Sequence, residues 1–322
     1  MGGERGPTVS AAEPVSLLFP GQGSQFVGMG RDLAESFPEA AKTFREADEI
    51  LGTALSRLCW EGPLDELTLT INAQPAILIH SIAVWRVFGP HITDISMAAG
   101  HSLGEFTAYV AAGVLDFGDA LRVVRRRGEL MYESGSARPG TMAAVIGLDD
   151  QVLERVCADA SRDDEVVVLA NLNAPGQVVI SGDLAAVSRA GELAREAGAK
   201  RVLPLSVSGA FHSPLMKVAE PGLREELAGV VMHGAHFPVV SNVTAEPVQD
   251  PDTARRLLVE QLTSPVRWVE SVRAMAAAGG GNFLELGPGS VLTGLLKRID
   301  KGATSRPLGT ADEIDAFKQE EG

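Results

Sequence analysis

The sequence predicts an α/β fold, in which helices cover a largely parallel sheet and a smaller unit is inserted. Two observations carry this prediction. Short apolar runs alternate with longer segments of helical spacing on both sides of the middle of the chain, and glycine-rich turns separate them. Between residues 137 and 207 the order changes to strand, helix, two strands, helix and strand. The first order is typical of parallel sheets, and the second is that of a ferredoxin-like unit.

The N-terminal part supplies the first elements of the larger unit. Residues 15–25, VSLLFPGQGSQ, predict a buried strand that ends in a glycine-rich turn. Residues 74–89 have helical apolar spacing. Residues 95–100, ISMAAG, predict a short strand, and residues 105–114 predict the helix after it. This strand–turn–helix order favours a parallel sheet.

The middle of the chain predicts the inserted unit, which we place at 137–207. Its strands are expected at 141–148, 166–173, 176–182 and 200–207, and its helices at 150–162 and 183–198. The chain then returns to the larger unit, which therefore comprises 14–136 and 208–322. There we expect core strands at 237–244 and 282–289, a helix at 291–300 and a peripheral acidic stretch at 309–322.

Composition excludes some classes of function. The chain of 322 residues is 45% apolar and carries a formal charge of −14, so a general nucleic-acid binder is not expected. No apolar run is long enough to span a membrane, and no signal peptide is evident. We expect a cytoplasmic monomer with a disordered tail at 1–13. Cys59 and Cys157 lack CxxC spacing, so we interpret them as reduced thiols in packing positions and expect no metal site.

A serine at a sharp turn is the first candidate for catalysis. Ser102 lies in Gly-His-Ser-Leu-Gly, after one predicted strand and before a predicted helix. Such a turn exposes a serine above the sheet and points the free N–H groups of the helix at it. Both features suit a nucleophile whose reaction forms an oxyanion.

A serine nucleophile needs a base, and His212 is the first of six candidates. It lies in a small-residue loop, SGAFHSP, where the chain re-enters the larger unit. His101 is adjacent to Ser102 and is expected to point elsewhere, whereas His80 falls in an apolar helix and is expected to be a core residue with a partner. His91, His233 and His236 lie near the ends of elements and are interpreted as surface or turn residues.

Five motifs in order give a family resemblance. They are FPGQGSQ, GHSLGE, GAFHSPLM, SNVTAEPV and ELGPGSVLTGL. The chain resembles the malonyl-CoA:acyl carrier protein transacylases, which include free-standing acyltransferases of polyketide synthases, from about residue 15 to 300. The resemblance implies an α/β-hydrolase-like body that carries a ferredoxin-like subdomain.

The resemblance also implies roles for particular residues. Ser102 would be the acylated nucleophile and His212 its general base. The main-chain oxygen of Gln261 would hold the imidazole tautomer, which would explain why no carboxylate stands out as the third member of a triad. The N–H groups of Gln22 and Leu103 would form the oxyanion hole. As an alternative, the loop around Gln22 could hold phosphate, but it lacks the Walker spacing and the lysine.

The substrate class depends on one arginine. Arg127 lies twenty-five residues after Ser102, in a helix where a solvated face is the ordinary interpretation. In malonyl-type relatives the matching arginine binds the substrate carboxylate, as a guanidinium fork can do bidentately. Met131 shares the flank of Arg127. Phe211 resembles the bulky residue of malonyl-selective members, so malonyl is favoured over 2-substituted malonyl.

The implied activity is transfer of a malonyl group from CoA to the phosphopantetheine thiol of an acyl carrier protein. It serves fatty acid or polyketide synthesis and implies no tightly bound cofactor. Three alternatives stay open: a polyketide acyltransferase that acts in trans with a specialised donor, an editing hydrolase and a non-catalytic carrier-binding module. Basic residues that could dock an acidic carrier are Arg125, Arg126, Lys297 and Arg298.

Overall fold

The computed structural model describes residues 14–279 and 281–321, and the predicted tail at 1–13 lies outside them. Within this part of the chain the strands are β1 (Val15–Phe19), β2 (Ile95–Gly100), β3 (Gly140–Ile146), β4 (Val167–Ala174), β5 (Gln177–Asp183), β6 (Arg201–Pro204), β7 (Val239–Val240), β8 (Pro247–Val248), β9 (Asn282–Leu286) and β10 (Thr304–Leu308). The α-helices are α1 (Arg31–Ser36), α2 (Pro38–Leu51), α3 (Leu55–Glu61), α4 (Leu64–Thr68), α5 (Thr70–Phe88), α6 (Leu103–Ala111), α7 (Phe117–Ala137), α8 (Asp150–Ala160), α9 (Leu184–Glu196), α10 (Glu220–Ala228), α11 (Pro251–Glu260), α12 (Trp268–Ala277), α13 (Val291–Ile299) and α14 (Ala311–Glu321). Short 3-10 helices occur at Gly89–His91 and Pro214–Ala219.

The larger sheet has the strand order β10-β9-β1-β2-β7-β8 and is parallel except for the β7–β8 pair. Phe19 at the end of β1 lies opposite Gly100 at the end of β2. The N–H of His101 donates to the carbonyl oxygen of Phe19 at 3.0 Å. The glycine-rich loop after β1 and the Ser102 turn after β2 therefore meet at the carboxyl edge, where parallel sheets bind their ligands.

The smaller sheet is antiparallel, with the order β4-β5-β3-β6. Its elements follow one another as β3–α8–β4–β5–α9–β6, so the predicted order of the inserted unit is confirmed. Leu153 of α8 and Val187 of α9 are buried in one cluster with Val145 and Ile180 of the sheet. This cluster is separate from the main core, which gives the smaller sheet its own apolar packing.

Two backbone hydrogen bonds tie the smaller sheet to the larger unit. Leu172 in β4 donates to the carbonyl of Val266 at 2.9 Å, and Val266 donates to the carbonyl of Ala170 at 2.8 Å. The ring Nε2 of His101 lies 2.7 Å from Oδ1 of Asn173, which adds a third link beside the Ser102 turn. The smaller sheet is thus held over the carboxyl edge of the larger one.

Several elements differ in their bounds or position from the sequence-based expectations. The helix expected at 74–89 begins four residues earlier, and its apolar circumference places α5 inside the main core. Strands expected at 200–207 and 237–244 shorten to β6 and β7, because their remaining residues form loops and turns around the site. The acidic stretch expected at the periphery forms α14, whose Ile314 and Phe317 are buried.

Within the described ranges, no helix is both long enough and apolar enough to cross a membrane.

Candidate active site

The Ser102 turn is fixed by two glycines that have no space for a side chain. A Cβ on Gly100 would lie 1.8 Å from the carbonyl carbon of Gly104, and one on Gly104 would lie 2.0 Å from the carbonyl oxygen of Phe19. Ser102 between them has φ 52° and ψ −106°, a conformation that non-glycine residues rarely adopt. The close packing of strand and helix therefore forces the serine onto a strained turn, as expected of a nucleophile.

Asn242 clamps this turn, and sequence analysis did not single it out. Its Oδ1 accepts the N–H of Ser102 at 2.7 Å, and its Nδ2 donates to the carbonyl of Gly100 at 2.8 Å. The motif SNVTAEPV contains this asparagine, but nothing in its local pattern indicates a contact with a turn 140 residues away. Asn242 is fully buried, so its amide is committed to the turn.

The imidazole of His212 lies between Ser102 and two backbone carbonyl groups. Its Nε2 lies 2.8 Å from Oγ of Ser102, and its Nδ1 lies 2.9 Å from the backbone oxygen of Gln261 and 3.2 Å from that of Ser264. Carbonyl oxygens only accept, so Nδ1 carries the hydrogen and Nε2 can accept the serine proton. Burial and the nearby charge of Arg127 lower the pKa of His212 to about 3, which keeps the imidazole neutral at physiological pH.

Arg127 is buried beside the serine, so the solvated-face interpretation does not hold. Its side chain is 1% exposed. Nη1 donates to Oε1 of Gln74 at 2.6 Å, while Nη2 donates to Oε1 of Gln261 at 2.8 Å and to Oγ of Ser102 at 3.1 Å. Burial lowers the pKa of Arg127 to about 10, so the guanidinium is still charged at neutral pH. Two glutamine amides therefore hold a fixed positive charge at the nucleophile.

The neighbouring histidines have other partners. His80 is fully buried in α5, and its Nε2 lies 2.8 Å from the carbonyl oxygen of Gly309, so it is a core histidine with a partner, as expected. His101 points toward Asn173 and packs on Trp268 with ring centroids 5.4 Å apart. It is therefore directed away from Oγ of Ser102, whereas His212 lies within hydrogen-bond distance of it.

A cavity of about 110 Å³ lies over the serine, between the two sheets. Leu103 lines it as the first residue of α6, where the N–H has no acceptor within the helix. Gln22 reaches it from the glycine-rich loop, with its side-chain Oε1 bonded to Thr70 at 3.0 Å. Predicted residues and others share the lining: Gln22, Gln74, His101, Ser102, Leu103, Arg127, Met131, Met142, Asn171, Leu205, Val207, Phe211 and His212.

Glu105 is a buried acid beneath this cavity, and sequence analysis did not identify it. Its side chain is fully buried on α6. Oε2 accepts a hydrogen bond from Nε2 of Gln261 at 2.6 Å and from the N–H of Asn242 at 3.2 Å. Burial raises the pKa of Glu105 to about 7. The glutamate is part of the GHSLGE motif, so its position after the serine was a signal that could have found it.

Cys59 and Cys157 are free and buried, in agreement with the interpretation as packing thiols. Among the residues that the structure describes, no group of three or more His, Cys, Asp or Glu side chains could hold a metal ion.

Known proteins are similar to this chain along almost its whole length. The acyl transferase domain family matches residues 17–312. A malonyl CoA-acyl carrier protein transacylase of Bacillus subtilis is 50% identical over 310 residues, which is 95% of this chain and 98% of that protein. An acyl carrier protein S-malonyltransferase structure from Vibrio cholerae has a TM-score of 0.91 and 46% identity, and covers 94% of this chain and 99% of its own.

A third relative was solved with a partner. It is a malonyl-transacylase in complex with its type II polyketide synthase acyl-carrier protein, with a TM-score of 0.91 and 43% identity over 95% of this chain and 99% of its own. The family model covers most of the chain, and these relatives are similar to it over nearly its whole length. The chain therefore belongs to the acyl transferase domain family.

Proposed function

We propose that this protein is a malonyl-CoA:acyl carrier protein transacylase, which moves malonyl groups through an ester on Ser102. One observation carries the proposal: Oγ of Ser102 lies 2.8 Å from the base His212 and 3.1 Å from the buried guanidinium of Arg127. Simple hydrolysis by a serine and a histidine requires no fixed cation beside the serine. Binding of an acyl group that carries a carboxylate does require one.

The first half of the reaction acylates the serine. His212 accepts the proton of Ser102 on Nε2 as Oγ attacks the thioester carbonyl of malonyl-CoA. The carbonyl oxygen becomes an oxyanion, which the N–H groups of Leu103 and Gln22 stabilise. The intermediate collapses, the C–S bond breaks, and His212 gives its proton to the departing CoA sulfur. The carbonyl oxygen of Gln261 keeps the hydrogen on Nδ1 and stabilises the transient imidazolium.

The guanidinium of Arg127 selects the acyl group. A malonyl carboxylate can bind it bidentately, whereas an acetyl group leaves a buried charge without its substrate partner. Sites built around such a bond reject the analogue that lacks it by about 10⁴-fold or more. Met131 and Phe211 supply apolar walls on the other sides. These walls favour malonyl over a 2-substituted malonyl, although a single methyl group discriminates only about 10–200-fold.

The second half transfers the malonyl group to an acyl carrier protein. The phosphopantetheine thiol attacks the ester on Ser102, with His212 again as the base. Support for this partner comes from the relatives, which are malonyl transacylases of acyl carrier proteins and one of which was solved in complex with its carrier. Arg125 and Arg126 already form ion pairs with Glu129, so Lys297 and Arg298 are the better candidates for contact with an acidic carrier. No tightly bound cofactor takes part in this scheme.

We assign the architecture in the same terms. An α/β-hydrolase-like body would comprise residues 14–136 and 208–322, and a ferredoxin-like subdomain residues 137–207. Support comes from the parallel sheet with its serine turn at the carboxyl edge, and from the order β4-β5-β3-β6 of the smaller sheet. The monomeric state and the cytoplasmic location stay predictions.

Intact-protein mass spectrometry tests the function. The protein is exposed briefly to equal amounts of malonyl-, methylmalonyl- and acetyl-CoA, and then to a phosphopantetheinylated acyl carrier protein. We expect a malonyl adduct that is absent from Ser102→Ala and that moves to the carrier. A larger adduct alone would indicate a specialised donor, and release of free acid without carrier acylation would indicate an editing hydrolase. No adduct together with carrier binding would indicate a carrier-binding module.

A further inference from the structure

We propose that Glu105 is the resting counter-charge of Arg127, and that it takes up a proton when the substrate carboxylate arrives. The inference rests on the proposed function, because it requires an acyl group that carries a negative charge. It concerns a side chain that does not line the substrate cavity and does not touch the reacting atoms.

The side-chain amide of Gln261 connects the two charges. Its Nε2 donates to Oε2 of Glu105 at 2.6 Å and to the backbone oxygen of Ser102 at 3.0 Å. With both donor directions used, its Oε1 faces Arg127 and accepts from Nη2 at 2.8 Å. A carboxylate, an amide and a guanidinium thus form one buried chain in which positive and negative charge balance.

Malonyl binding disturbs this balance. The substrate carboxylate would bring a second negative charge close to Arg127 and Glu105, which are both buried, and like charges repel strongly where protein replaces water. Ser102 and His212 are neutral, and the phenol of Tyr109, one turn further along α6, has a pKa raised well above its usual value by burial and by Glu105. Arg127 is the charged group that faces Glu105 from another element. Glu105 is therefore the group that can remove the excess negative charge, because its carboxylate can take up a proton.

The geometry of Glu105 leaves a place for the proton. The hydrogen bonds from Gln261 and from the N–H of Asn242 both go to Oε2, the side chain of Ser241 also stabilises the carboxylate, and Oε1 is buried without a hydrogen-bond partner among the described residues. A protonated carboxyl can keep both bonds on Oε2 and carry its hydrogen on Oε1. In support, burial has already raised the pKa of this carboxyl to about 7 before any substrate is present.

A pH profile of the first half-reaction tests the proposal. The second-order rate constant for malonylation of Ser102 is measured by quenched flow and intact mass, from about pH 6 to about pH 9. Above neutrality the wild-type constant should fall by up to about tenfold per pH unit, because malonyl-CoA then reacts with the minor, protonated form of Glu105. The profile of Glu105→Gln should lack this decline, whatever its absolute rate.

Glu285→Gln is the matched control. Glu285 is another fully buried glutamate with a raised pKa, but its carboxylate binds the N–H groups of Leu292 and Thr293 at the start of α13. This variant should keep the wild-type profile. A wild-type constant that does not fall above neutral pH, or a Glu105→Gln profile that falls like the wild type, overturns the proposal.

A second measurement needs no variant. One turnover of the wild-type protein with malonyl-CoA in weak buffer at about pH 7.5 should take up a substantial fraction of a proton per adduct, read with an indicator dye. Acetyl-CoA releases the same CoA thiol and provides the baseline, with uptake normalised to the adduct formed. Malonylation without uptake overturns the role of Glu105 and leaves the proposed function intact, whereas a failure of the proposed function would show as no malonyl adduct at any pH.

Discussion

The Nδ1 atom of His212 lies 2.9 Å from the backbone carbonyl oxygen of Gln261, while the side chain of the same glutamine holds Arg127 at 2.8 Å. One residue therefore contacts both the imidazole and the guanidinium beside Ser102. Because the partner of the imidazole is a carbonyl rather than a carboxylate, no negative charge raises the pKa of His212. Burial and the positive charge of Arg127 therefore lower this pKa, and no ion pair of His212 in the described part of the chain opposes them.

The first prediction concerns the acid limb of catalysis. The pKa of His212 is lowered from the ordinary 6.5 to about 3, so the base form is present above about pH 3 and is lost only below it. Acylation of Ser102 should therefore not decline as the pH falls through 6.5. Stopped-time mass spectrometry measures the rate, and circular dichroism verifies that the protein stays folded. Loss of half the rate near pH 6.5 would show that His212 has an ordinary pKa.

The second prediction concerns substrate choice. Arg127→Ala should lose about 2–5 kcal/mol of malonyl transition-state binding, because the carboxylate loses its charged partner inside a buried site. Acylation by acetyl-CoA should fall much less, and the ratio of the two kcat/KM values measures the difference.

Arg126→Ala is the control for this prediction. Arg126 is the neighbouring residue of α7, but its guanidinium forms ion pairs with Glu129 and Glu133 on the outer side. The selectivity of this variant should match the wild type. Unchanged malonyl kinetics in Arg127→Ala would remove the guanidinium from the substrate site.

The third prediction separates two helix glycines. A methyl group on Gly104 of α6 would meet the carbonyl oxygen of Phe19 at 2.0 Å, so Gly104→Ala must push the helix away from β1. We expect a lower melting temperature and loss of Ser102 acylation. Gly294→Ala in α13 meets nothing within 4 Å and should stabilise the protein by about 0.5–1 kcal/mol. Thermal melts measure both effects. Melting temperatures of the two variants that shift in the same direction would contradict the prediction.

The fourth prediction concerns the clamp on the nucleophile. Asn242→Ala removes the acceptor of the Ser102 N–H and the donor to Gly100, which should cost about 1–3 kcal/mol of stability because the first group is partly buried and the second is buried. The strained turn should also relax, and acylation should slow even where the protein is folded.

Asn72→Ala provides the comparison for the clamp. The amide of Asn72 binds the carbonyl of Glu66 and the guanidinium of Arg125, away from Ser102. Denaturant melts and acylation rates should both place this variant near the wild type. Equal effects of the two asparagines on acylation would mean that the clamp is not specific.

The sequence alone predicted the alternation of elements and the order strand, helix, two strands, helix and strand between residues 137 and 207, and it placed Ser102 and His212 first among the candidates for catalysis. Periodicity and glycine placement are local properties, and Ser102 was identified because its turn, strand and helix are consecutive in the chain. His212 was ranked first from its loop, whereas the roles of Gln261 and Arg127 came from resemblance. Periodicity failed for strands at the site: the strand expected at 200–207 shortens to β6, and Leu205 and Val207 beyond it line the cavity.

Only the tertiary structure decided which distant residues complete the site. Asn242 contacts Ser102, which is 140 residues away in the sequence. Glu105 contacts Gln261, which is 156 residues away. No local pattern encodes contacts over such distances. The charge of Arg127 was visible in the sequence, but its burial was not, because a helix shows the same spacing whether that flank meets water or protein. Burial sets the pKa values of Arg127, His212 and Glu105, so the electrostatics of the site belong to the folded chain.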